Sequence, residues 1–293
     1  MSIDKDALYP ALYKAADKAS NDAQKRYLLL IKVEFSLLFI AAVLAMDWAQ
    51  SKTYYVLYAI VFILATLIFF TRLALKPEQN WYQCRSLAES IKTSTWRYVM
   101  RSEPFVDSTS INIARAEFRN LLREILRTNS RIGAKISDSS SAEDQITEEM
   151  DRVRRQDLEQ RKQVYKENRI SEQQIWYTGK AADNKLSFYK WSILLAIVYT
   201  AAITLVLWKI AEPQWDKMPI YPLIVLATAI VGWMQIKKFN ELTSSYTLTA
   251  IEIGIIKGKI DEVDEEAELS EFVNEAELAF SREHTQWVAR QHD

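Results

Sequence analysis

Apolar residues gather in four long runs, at residues 27–47, 54–75, 191–210 and 218–236, with polar sequence dividing them unevenly. A helix needs roughly 17 to 25 apolar residues to cross a hydrocarbon core. Each run is therefore long enough to span a bilayer. Only a few residues join the two members of each pair, whereas the stretch 76–190 and the sequence after Ile236 are long and polar. The pattern predicts two transmembrane hairpins in tandem. Tyr27 and Trp191 open the leading runs 164 positions apart, and Tyr54 lies 165 positions before Pro219, the spacing expected of a duplicated unit.

Outside the runs the apolar positions follow helical spacing. Trp81, Cys84, Ala88, Ile91, Thr95 and Tyr98 recur at steps of three and four, as do Tyr246, Ala250, Ile253, Ile256, Ile260, Val263 and Ala267. The second span of each pair is thus expected to continue as a long helix. Phe118, Leu121, Leu122, Ile125 and Leu126 mark a further amphipathic helix. Five glycines in 293 residues, and no alternating strand runs, point to an all-α membrane protein: four transmembrane helices as two tandem hairpins with long cytoplasmic helical extensions. The serine-rich and acidic stretch 135–149 is the expected linker, between a first unit at 1–134 and a second at 150–293.

Composition conceals this organisation, since a mean hydropathy of -0.14 and 26% charged residues describe an ordinary soluble chain. Charge adds orientation instead. Lys25, Arg26, Arg72, Lys76, Lys190, Lys237 and Lys238 border the long polar segments, against Lys52, Lys209 and Lys217 in the hairpin loops. By the positive-inside rule both termini and the central polar segment are expected in the cytoplasm. Entry is expected through the spans, because the start MSIDKDALYP has no signal-peptide pattern. Trp48, Tyr54, Tyr55, Tyr58, Trp208, Trp215 and Tyr221 near the hairpin loops, with Trp191 and Trp233 at the other ends, suit interfacial anchoring or the general aromatic enrichment of apolar sequence. Asp261–Glu277 holds nine acids and no base, whereas Asp151–Arg169 carries a net charge of about +3. The two are either paired or separately solvated.

Candidate chemistry is sparse. A net charge of -1 gives no basic excess for nucleic acid. One cysteine, Cys84, and two histidines exclude an intrachain disulfide and a Cys/His zinc site within one chain. Neither a nucleophile elbow, a metalloprotease helix nor a glycine-rich phosphate loop occurs, so no catalytic, cofactor-binding or metal residue is assigned and no enzyme is expected. Cys84 reads as a buried structural thiol.

Asn80–Met100 (NWYQCRSLAESIKTSTWRYVM) and Phe272–Gln291 (FVNEAELAFSREHTQWVARQ) carry a resemblance to the SLATT superfamily, bacterial two-span effector domains associated with nucleotide-second-messenger and SLOG-type sensor systems. Trp81, Arg85, Ala88, Glu89, Trp96 and Tyr98 carry it in the first copy, and Glu283 and Trp287 in the second. The resemblance implies a tandem effector of antiphage conflict systems that breaches the membrane and stops growth of an infected cell. It also implies a nucleotide-signalling or sensor protein as partner, since this chain has no cyclase or SLOG-like domain of its own.

Four spans are too few for a wide aqueous path, so a pore requires a homo-oligomer in the lipid bilayer with polar positions turned inward. Lys32 and Glu34 interrupt the first run and lead the candidates; Thr200, Thr204 and Thr228 follow. Either the two charges line a path or both sit in the headgroup layer. The function expected is an oligomeric pore or channel that disrupts the inner membrane when triggered. The alternative is a membrane-anchored helical scaffold or sensor subunit that recruits partners without conducting.

Overall fold

The computed structural model describes residues 3–106, 110–128 and 144–289, with side chains through residue 281 except that of Lys5. The described residues form helices and connecting turns, without strands. In chain order the helices are α1 (Lys5–Leu8), α2 (Ala11–Leu44), α3 (Lys52–Leu75), α4 (Pro77–Val99), α5 (Ile111–Thr128), α6 (Glu148–Arg154) and α7 (Leu158–Tyr165). A π-helical segment, Lys166–Ser171, leads into α8 (Glu172–Ala211), followed by α9 (Ile220–Lys237), α10 (Phe239–Lys259) and α11 (Glu266–Ala289). Four helical stretches, within α2, α3, α8 and α9, are long and apolar enough to cross a membrane. The chain is an all-α, multi-pass membrane protein.

The helices sort into two compact units that do not follow the halves of the chain. A core unit takes residues 3–24, 78–180 and 245–289, and a span unit takes 25–77 and 181–244. Of the expected linker, residues 135–143 lie outside the described residues. Its end is helical, because Thr147 caps α6 by accepting from the Met150 amide at 3.1 Å.

The core unit is built on the predicted stripes. Cys84, Ala88, Ile91, Thr95 and Tyr98 of α4 are buried, and Ala114, Phe118 and Leu122 turn one face of α5 inward at steps of four. Tyr98, Phe105 and Phe118 meet as a cluster of rings, with centroids 4.9 to 5.9 Å apart. The positive stretch 151–169 is not one helix. Asp157 caps a new start by accepting from the Gln160 amide at 2.8 Å, which separates α6 from α7.

In the span unit each hairpin is tied at its loop. The Tyr54 hydroxyl donates to the Leu44 carbonyl at 2.6 Å, and Tyr55 donates to Asp47 at 2.7 Å. In the second hairpin Lys209 donates to the carbonyls of Pro213 and Trp215 at 2.9 and 2.6 Å. Lys217 donates to the Asp47 carbonyl at 2.9 Å and so links the two loops. Val198, Ala227 and Ile230 form a small buried centre between α8 and α9. Most other apolar side chains of the spans face outward.

The expected continuation of each second span holds with one refinement. Lys76, at φ 43, ends α3 before Pro77 opens α4, and Lys238, at φ 47, ends α9 before α10 begins. A left-handed residue turns the chain and satisfies late helix carbonyls: the Lys76 amide donates to Arg72 and the Lys238 amide to Gln235. The two copies therefore break at corresponding lysines.

Candidate functional site

The span unit brings the first pair of candidates into defined contacts. Glu34, partway along α2, faces Arg72 in the last turn of α3, with Arg72 Nε donating to its carboxylate at 3.2 Å and an ion pair at 3.1 Å. The two groups are partly buried, and the pairing gives each charge an opposite partner within its own hairpin. Lys32, two residues earlier, places its ammonium 5.3 Å from the centre of the Trp233 ring on α9. Nearby, a Cβ at Gly232 would stand 3.1 Å from Phe35 of α2, so the glycine permits this close approach.

The hydroxyl candidates are satisfied locally. Thr200, Thr204 and Thr228 donate to the carbonyls of Ala196, Thr200 and Ile224 at 2.9, 2.8 and 2.9 Å, each one turn back on its own helix. Thr200 also belongs to an exposed face of α8. Leu186, Tyr189, Ile193, Ala196, Thr200 and Ile203 lie at alternating steps of three and four, and all are exposed. The spacing of this face is present in the sequence, but its exposure is set by where the neighbouring spans pack.

The core unit holds a charged cluster that the sequence announced only as opposed charge. Lys166 pairs with Asp261 at 2.6 Å, Arg161 with Glu266, and Arg169 makes a two-pronged contact with Glu277 at 2.8 and 2.6 Å. The basic and acidic segments do lie against each other. Arg154 departs from that scheme and donates instead to the carbonyls of Tyr98 and Phe105, and Arg161 also donates to that of Met100 at 2.9 Å. These cations cover carbonyls in the last turn of α4 and in the turn that follows it, at Tyr98, Met100 and Phe105.

Arg169, Glu277 and Tyr165 are all essentially buried, and Tyr165 donates to Glu277 at 2.9 Å. Burial pushes the Tyr165 hydroxyl well above its ordinary pKa. Burial works against the Arg169 charge, but Glu277 outweighs it and the guanidinium is held more firmly protonated than usual. Arg169 sits in the π-helical segment, where Ser171 donates to the Lys166 carbonyl at 2.8 Å. Single π turns frequently mark functional positions. Lys92 on α4 has its pKa lowered, by burial first and then by the neighbouring Arg169 charge.

The model of the SMODS and SLOG-associating 2TM effector domain 3 matches residues 10–162, and that of effector domain 1 matches residues 165–287. The chain belongs to the SLATT family, as a tandem of two domains. Neither a curated protein nor a solved structure matches it. The two SLATT matches meet inside the helical run that begins at Leu158, upstream of the third span.

The SLATT-motif residues of the first copy are brought together as packing and support. Ala88 and Trp96 are buried, and Trp96 Nε1 donates to the Tyr9 hydroxyl at 3.1 Å. Arg85 bridges Asp17 at 3.3 Å and Glu89 at 2.6 Å, fixing α4 to α2. Trp81 offers its carbonyl to Ser20 at 3.4 Å, and Tyr98 donates to Asp151 at 3.1 Å. The side chains of Glu283 and Trp287 lie outside the described residues. Among the described residues no cluster of histidine, cysteine and acids has metal-binding geometry, and Cys84 is buried.

Proposed function

We propose that this tandem SLATT protein is a membrane effector of a bacterial conflict system whose copies associate in the inner membrane and open a pore or channel when triggered. Both termini and the core unit lie in the cytoplasm in this reading, which the lysine and arginine asymmetry of the loops supports. The exposed face of α8 carries the argument. It presents apolar and small side chains, with Thr200 among them, at the spacing of a helix–helix seam. Meanwhile Glu34 and the three threonines are satisfied within one chain. Conduction then needs several copies, and opening needs Glu34 to leave Arg72 or the spans to turn. The trigger in this reading is a sensor or nucleotide-signalling protein that acts on the core unit, and the effector performs no catalysis.

The test is induced expression in a bacterial host, with growth and membrane potential followed together. Wild type is compared with Glu34→Ala and with Glu34→Ala/Arg72→Ala. Toxicity that coincides with depolarisation, and dye release from liposomes holding the purified protein, support the pore. A protein that stops growth while the potential stays intact overturns it in favour of a scaffold that recruits partners.

A further inference from the structure

Three of the four spans border a groove that their own side chains leave unfilled. It measures about 490 Å³ and lies among Phe35 and Ala42 of α2, Ala45 just past its end, Phe62 of α3, and Val225 and Ala229 of α9. Alanine is what keeps it open, since a larger side chain at 42, 45 or 229 would project into the space. The lining is almost wholly apolar. Thr228 also borders the groove, but its hydroxyl donates to the Ile224 carbonyl. A water molecule needs two to four polar partners and finds too few here.

We infer that one acyl chain of a bilayer phospholipid occupies this groove. Its rim is continuous with the surface that faces hydrocarbon, because Leu38, Phe62 and Tyr221 both border it and are exposed. Its volume falls within the roughly 300 to 1,000 Å³ of small-ligand sites, whereas a helix with side chains is about 10 to 12 Å across and needs a wider trough. Its length fits one leaflet. From Phe35 to Leu44 α2 rises about 14 Å, close to half of a core about 30 Å thick. Tyr58 and Tyr221 border the groove towards the hairpin loops, where tyrosines meet headgroups. The chain therefore enters from the leaflet on the hairpin-loop side, with its tail directed to Phe35.

The full-length protein would be reconstituted in phosphatidylethanolamine and phosphatidylglycerol vesicles with a trace of phosphatidylcholine bearing a diazirine near the end of one acyl chain. Irradiation and peptide mapping are expected to place adducts on residues 41–45 and 225–229. In the variant Ala42→Leu/Ala229→Leu those adducts should fall several-fold while adducts at Leu194 and Ile197 of α8, exposed positions outside the proposed seam, persist. If the double variant misfolds, labelling of α8 changes as well, and the milder Ala42→Val takes its place with the same expectation. Undiminished groove adducts in a folded, filled variant overturn the inference. So does a disulfide between copies through Ala42→Cys, which would make a second chain the occupant.

Discussion

In the core unit Trp96, Tyr98, Phe105 and Phe118 are each at most 1% exposed, whereas in the span unit Ile63, Phe70, Ile197 and Ile203 are all more than half exposed. Charge is distributed in the opposite sense. Arg154, Arg161 and Arg169 are among the largest fully buried side chains of the core unit, while the spans hold few charges and keep Glu34 against Arg72. The difference follows from the solvent. Against water, each apolar Å² removed stabilises by roughly 25 cal/mol, so the core unit turns its rings inward. Against lipid that drive is absent, and the span unit needs only apolar surface, a few tied loops and paired charges. The same α-helix serves both because it satisfies its own backbone in either medium.

The sharpest way to break this contrast is to strand a charge in the core unit. Arg169→Ala leaves the buried Glu277 without its two-pronged partner, and truncating one member of a buried pair typically costs about 3 to 5 kcal/mol. Thermal unfolding of the protein in lipid nanodiscs should register that loss. Arg169→Met/Glu277→Leu should recover most of it, since an apolar replacement of the whole pair is often neutral. If the single variant unfolds like wild type, Arg169 is solvated and the core unit is not dry at the π-helical segment.

A second test sets two exposed isoleucines against each other. Ile203 lies in the third span and Ile175, on the same helix, lies in the core unit; both are well exposed. Ile203→Lys should impair membrane insertion by about 2.5 to 3.5 kcal/mol, read as the inserted fraction in a glycosylation-tag assay. Ile175→Lys should change stability by no more than about 0.5 kcal/mol. Equal effects at the two positions would mean that exposure has the same meaning in both units.

Much of this contrast was legible along the chain. The four runs, their pairing, the α4 and α5 stripes and the opposed charges at 151–169 and 261–277 all have counterparts in the structure. What escaped depends on partners distant in sequence. Nothing near Glu34 says that Arg72, 38 positions on, will face it, and nothing near Arg154 says that it will reach the carbonyls of Tyr98 and Phe105 rather than an acid. The groove is of the same kind, since whether a neighbour fills the space beside Ala41, Ala42 and Ala45 depends on where α9 lies.

Alkaline pH probes the core unit more gently. Burial raises the Tyr9 hydroxyl to about 12, and burial likewise raises Tyr98 to about 12. Both are raised above an ordinary value near 10. Because the folded pKa is the higher one, this stability is intact below about pH 10 and declines as the pH climbs towards 12, where the unfolded chain ionises first. For Tyr9 the loss at pH 12 is on the order of 2 kcal/mol. Unfolding temperature measured from pH 9 to 12 should fall across that window, and Tyr9→Phe should flatten part of the fall. A profile level through pH 12 would remove buried tyrosine from the account.

The smallest expected effect lies at the rim of the charged cluster. Lys166 and Asp261 approach to 2.6 Å, yet their side chains are 28% and 66% exposed, so water and salt screen the pair and an isolated surface bridge contributes roughly 0 to 1 kcal/mol. Lys166→Ala should shift unfolding by that amount at most, and the shift should shrink further in high salt. The pair is still informative because Lys166 opens the π-helical segment that contains Arg169. If Lys166→Ala were to cost as much as Arg169→Ala, the rim and the interior of the cluster would be one cooperative network, and the π segment would depend on both cations. A near-neutral result places the stabilising contribution with the buried Arg169–Glu277 pair and leaves Lys166 as a solvated partner at its edge.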